Sequence, residues 1–201
     1  MHRFLRSFSY IFHPLFMPII GTIIYFQVTP KFVPESFYYA KMFALVILTV
    51  IVPILFYLLF QNLGVVSSPM TASAKERRLP LLAQILIVVL IIKTIISGYE
   101  FVELFYFYVG ILMAAVIALI GALFNLKASL HLIGLTGVGA FIFGLSVHYT
   151  ISILPLLALV VFAVGGVTTS RIYMKAHSAS EVVLGFLIGG LTQAVLFHFW
   201  V

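Results

Sequence analysis

The chain has 201 residues, 64% of them hydrophobic and 8% charged, with a formal net charge of +6. A soluble domain carries roughly 25% charged residues, so a soluble protein is excluded and an integral membrane protein is indicated. There is no cysteine, which removes disulfides and thiol catalysis, and no dense basic stripe of the kind that binds nucleic acid.

The apolar runs are long and lack alternating polar positions, which predicts transmembrane helices rather than a barrel. Seven are visible: about 11–28, 40–60, 80–97, 102–124, 130–148, 151–168 and 179–200. Each approaches the ~20 residues needed to cross a bilayer. The first follows a basic start, Met1-His2-Arg3-Phe4-Leu5-Arg6, and contains Pro14 and Pro18. Without a small-x-small cleavage site it reads as a retained first helix with a kinked or interfacial beginning. The third and fourth runs are joined by a tight turn, Ser97-Gly98-Tyr99-Glu100. The longest polar stretch, 61–79, holds Ser67, Ser68, Pro69, Thr71, Ser73, Lys75, Glu76, Arg77 and Arg78. No repeat or linker suggests a second domain. The expectation is one all-α membrane domain over 1–201, a bundle of six or seven helices.

Three loops carry most of the polar chemistry: 61–80, 125–131 and 169–178. Two apolar runs separate the first from the second, and two more the second from the third. An even number of crossings returns the chain to the same side, so all three are expected on one membrane face, with the functional site at helix ends there. The opposite loops, 29–39, 98–101 and 149–150, carry few basic residues.

In the third loop Ser170-Arg171 is followed after five residues by His177 and after three more by Glu181. Each charged group costs on the order of 2–3 kcal/mol at mid-bilayer, so such a cluster is a functional hypothesis by default. The residue types suit phosphoryl transfer, which needs cations on the equatorial oxygens, a nucleophile and an acid for the leaving group. Arg171, Lys75 and Arg78 can supply charge, with Ser129 and helix-start N–H groups as further donors. Glu181 lies one helical turn beyond His177, on the same face if the helix includes both.

The chain resembles the type 2 phosphatidic acid phosphatase superfamily, membrane relatives of vanadium haloperoxidases. Ser170-Arg171, His177, Glu181-Val182, Gly185 and Gly189 fall on that family's third motif, with Glu in place of its Asp. Ala128-Ser129-Leu130-His131 keeps the Ser and His of its second motif, Pro-Ser-Gly-His, and lacks the Pro and Gly. Lys75, Arg77, Arg78 and Pro80 supply the residue types of its first motif at compressed spacing. The resemblance covers roughly 70–190 and implies a phosphatase acting on a lipid phosphate or diphosphate. His177 would be the nucleophile that carries a phosphohistidine, His131 the acid and later the base, and Glu181 the support of His177. Ser170, Arg171, Ser129 and the cations at 75–78 would bind phosphate. No metal or other cofactor is implied. The partners would be the lipid phosphate and surrounding lipids, in a bacterial inner membrane.

Plainer readings stand beside these. Ser178-x-x-Glu181 is also a capping box. Arg171 and Lys175 also fit loop cations that follow the positive-inside rule, and Lys127 reads as topological. His13, His148 and His198 lack partners at useful spacing and read as interfacial or structural. Gly185 and Gly189 form a small-xxx-small pair. Arg3 and Arg6 point to a cytoplasmic N-terminus, and two helices then return the site to that side, whereas the family's members often work on the outer face. The alternative functions are a non-catalytic lipid-binding or transport protein on the same scaffold, or a lipid phosphotransferase.

Overall fold

In a computed structural model the chain is 77% helix, with no strand among the described residues. The structure describes residues 2–67 and 73–201, with side chains from Ser7 onward. Ser68, Pro69 and Thr71, and the side chains of Arg3 and Arg6, lie outside the described residues.

The helices are α1 (His2–Ile11), α2 (Met17–Val28), α3 (Glu35–Val46), α4 (Val52–Asn62), α5 (Arg78–Thr94), α6 (Val102–Leu123), α7 (Leu130–His148), α8 (Leu154–Tyr173) and α9 (Ala179–Ala194). Among the described residues six stretches are long and apolar enough to cross a membrane: Ser7–Val28, Glu35–Asn62, Val102–Leu123, Leu130–His148, Leu154–Tyr173 and Ala179–Phe199. The run expected at 80–97 forms α5, 17 residues that begin against the carboxyl end of α6, where Arg78 donates to the Ala122 carbonyl, and end just before α6 begins.

Local sequence explains the breaks. Pro14 interrupts the first span, where a 3-10 turn over Pro14–Phe16 joins α1 to α2. Pro53 has no N–H to donate, and the helix carries a π turn over Ile47–Ile51 just before it, so α3 and α4 continue as one 28-residue stretch. Two helices end beside the future site in the same way. Asn125 N–H donates to Ala122 and Leu126 N–H to Gly121, while Lys175 N–H donates to Ile172 and Ala176 N–H to Arg171. These are Schellman closures with left-handed residues, φ 60° at Asn125 and 53° at Lys175.

α7 is the central helix, packed against α9 at close range. A Cβ on Gly185 would fall 2.6 Å from the Ser129 carbonyl, and one on Gly189 would overlap the Ile133 carbonyl and Thr136 Oγ1. The small-xxx-small pair thus lets two backbones touch, and Thr136 Oγ1 donates across the seam to the Phe186 carbonyl at 3.1 Å. Deeper, Phe107 of α6 stacks on Phe141 of α7 with centroids 4.3 Å apart. α1 packs on α8, where Phe8 covers Gly166.

Near the ends of α2, α6 and α7 away from the three polar loops lies a second polar knot. Glu103, 3% exposed, accepts from the Lys31 ammonium at 2.8 and 2.9 Å. It also accepts from Tyr25 Oη and Tyr149 Oη, both at 2.9 Å, and His148 Nε2 lies 3.4 Å away. His148 therefore has a partner that its sequence neighbourhood does not show.

Candidate functional site

The three polar loops meet. The start of α7 is fixed to α9 by the Ser129 N–H, which donates to the Glu181 carbonyl at 3.0 Å. The 124–129 loop is fixed to the α8–α9 loop by Lys127 Nζ, which donates to the Ala176 carbonyl at 3.2 Å. The loop before α5 joins both: Arg77 Nη1 donates to the Ala128 carbonyl at 2.9 Å, and Arg77 Nη2 lies 3.5 Å from His177 Nε2.

His177 sits in the loop between α8 and α9, its N–H held by the Arg171 carbonyl at 3.3 Å. Its side chain is 1% exposed, and Nδ1 lies 2.5 Å from Glu181 Oε2. The N-cap of α9 is Ser178, whose Oγ accepts from the Glu181 N–H at 3.3 Å. The sequence signature of a capping box thus divides: Ser178 caps the helix, and the Glu181 carboxylate serves the imidazole. Burial first, then the positive charges of Arg77, Arg171 and Lys127, hold the His177 pKa down to about 3. The ring is neutral at pH 7, and the Glu181 contact to Nδ1 leaves Nε2 as the lone-pair nitrogen facing Arg77. Burial and Arg171 lower Arg77 to about 10, opposed by Glu181. Burial and the neighbouring cations also lower Lys127.

Arg171, 2% exposed in the last turn of α8, lines one cavity together with Arg77, His131 and His177. His131 lies in the first turn of α7, and its Nε2 is 3.1 Å from the Ser9 carbonyl. That nitrogen carries the proton, so Nδ1 remains for exchange. The cavity measures about 420 Å³ and is otherwise mostly apolar, running between α2, α4, α5, α6, α7 and α9.

The other expected phosphate ligands lie elsewhere. Arg78 turns to the carboxyl end of α6, donating to the carbonyls of Ala122 at 3.1 Å and Leu123 at 3.3 Å and to Asn125 Oδ1 at 3.4 Å. Ser170 is buried against α1, its Oγ 2.9 Å from Ser9 Oγ, and does not line the cavity. Lys75 is exposed and also outside the lining. Ser129 is fully buried with no hydrogen-bond partner for its Oγ among the described residues, and it too is outside the lining. The adjacent arginines part because consecutive helix-start residues point about 100° apart. Two residues read as bystanders belong here: Lys127, and His13, which lines the cavity with its ring centroid 5.2 Å from that of His131. Neither sits in a motif; only the break at Pro14 and the meeting of the loops bring them in.

No family model matches the chain, and no curated protein or solved structure matches it.

Proposed function

We propose that this chain is a membrane phosphatase that hydrolyses a lipid phosphate or diphosphate through a phosphohistidine on His177, as its motifs' resemblance to the type 2 phosphatidic acid phosphatases implies. One observation carries the reading: a neutral, carboxylate-bound imidazole aims Nε2 at a guanidinium, at the head of a largely apolar cavity. Cations suit a phosphate, and the apolar cavity suits the rest of a lipid.

In this mechanism Arg77 and Arg171 hold the equatorial oxygens, with Lys127 adding positive field. His177 Nε2 attacks the terminal phosphorus and its P–O bond to the leaving group breaks, a lipid alcohol from a monophosphate or a lipid phosphate from a diphosphate. Glu181 stabilises the cationic ring that forms. The singly protonated phosphate supplies the proton that reaches the leaving oxygen by way of His131 Nδ1, and the same nitrogen then takes a proton from the water that cleaves the P–N bond. Inorganic phosphate is released, together with the free lipid alcohol from a monophosphate or the lipid monophosphate from a diphosphate.

The test is phosphate release by purified protein from a panel of lipid phosphates. Activity is expected to survive EDTA, because the groups around His177 are nitrogen cations rather than the several oxygens a magnesium site collects. Vanadate is expected to inhibit as a pentacoordinate mimic. His177→Ala should lower turnover by on the order of 10³ or more. Near-native hydrolysis by that variant, or no hydrolysis of any lipid phosphate by the native chain, overturns the reading and leaves a lipid-binding protein.

A further inference from the structure

The cavity continues far below the cations, and its depth has a sequence cause. α6 presents Gly110, Ala114 and Ala118 to it, one stripe at four-residue spacing. No long side chain from that stripe fills the space. At the far end stands Gln193 of α9, 1% exposed. It rests on Gly110, where any Cβ would overlap the carboxamide. Its Nε2 donates to the Phe107 carbonyl at 3.0 Å. Its Oε1 is buried with no partner among the described residues and Gln193 lines the cavity. Gln193 lies twelve residues along α9 from Glu181, which sets the floor about 18 Å from the carboxylate that holds His177.

A buried carbonyl oxygen with no donor is costly. Water does not reach Oε1 either, and the carboxamide, seated on Gly110 and tied to the Phe107 carbonyl, is a fixed wall at which a hydrocarbon tail must stop. We propose that one hydrocarbon chain of the phosphate-bearing ligand lies inside this cavity along the Gly110–Ala114–Ala118 stripe, and that Gln193 sets the longest chain accepted. This rests on the reading of the cations as a phosphate site. It makes the substrate class a phosphate with at least one chain that threads into the protein, rather than one whose tails all remain in the bilayer.

The probes are octyl, dodecyl and hexadecyl phosphate, and a hexadecyl phosphate with a diazirine at the chain end. Photolabelling reports binding without requiring hydrolysis. The diazirine is expected to mark α6 near Ala114 or α9 near Gln193. Labelling confined to the lipid-facing Val161, Phe162 and Leu191, or no labelling, overturns the proposal. Ala114→Leu should block the passage midway, weakening the long chain at least tenfold against the octyl probe. Gln193→Ala removes that wall and should move the preference toward longer chains. An unchanged chain-length profile in both variants overturns the proposal. The two readings fail differently. Labelling inside the cavity without phosphate release sinks the phosphatase and leaves the chain site. Phosphate release with an unaltered profile sinks the chain site and leaves the phosphatase.

Discussion

Glu181 in the first turn of α9 reaches back past the Ser178 N-cap to His177 in the preceding loop, Oε2 to Nδ1 at 2.5 Å, while its own N–H is taken by Ser178 and its carbonyl by Ser129. One residue thus starts α9, anchors the start of α7 and orients the candidate nucleophile. Gln at 181 keeps the main-chain bonds and a side-chain acceptor but loses the charge that favours a cationic ring. Glu181→Gln should lower phosphate release on the order of 10²-fold with a small change in melting temperature. Glu181→Asp shortens the reach and should retain more activity than Gln. Unaltered turnover in Gln with a softened fold would reduce Glu181 to a structural role.

The adjacent arginines should separate in experiment. Arg77 faces His177 and Ala128, whereas Arg78 closes α6. Arg77→Gln should cut turnover on the order of 10²-fold or more, as loss of a charge-stabilising donor does. Arg78→Gln should cost about 1 kcal/mol of stability through lost helix-end hydrogen bonds, with turnover per folded molecule nearly native. Thermal melts and rates on both variants check the pair; equal rate losses would contradict the division.

Acid should destabilise the fold partly through His177. Its pKa is about 3 in the folded chain against an ordinary 6.5. Between those values the unfolded chain binds the proton and the folded chain does not, so stability rises with pH across the window. The contribution is full above about pH 6.5 and is lost progressively as pH falls toward 3. Comparing melting temperatures at pH 7 and pH 4.5, the native chain should lose more than His177→Gln does. Parallel losses would show that the ring is not held neutral.

The knot around Glu103 is expected to matter for stability rather than chemistry, since it lies far along α6 and α7 from His177 and ties together α2, the following loop, α6 and α7. Glu103→Gln leaves Lys31 and two phenols short of a shared anionic acceptor. With Lys31 partly exposed, the cost should be about 1–3 kcal/mol. The melting temperature should fall, while kcat on a short-chain phosphate stays close to native.

The membrane class and the helices were legible in the amino-acid order, because apolar length and the prolines act locally. The His177–Glu181 pair was legible as a possibility, on one face if a helix held both; His177 in fact precedes the Ser178 N-cap, and the loop that ties its N–H to the Arg171 carbonyl turns its ring to the carboxylate. What tertiary structure decided was selection among chemically equivalent residues. Arg77 and Arg78 have the same charge, and only the docking of α5 against α6 and the α8–α9 loop gives one to the imidazole and the other to a helix end. Ser170 matched a motif but met Ser9 of a helix that carries no motif. Lys127 and His13 joined the site because loops distant in sequence close on one another. Glu103 found Lys31, Tyr25, Tyr149 and His148 across three helices. The cavity itself depends on small residues of α6 facing one carboxamide of α9, and no local pattern records which helix faces will meet.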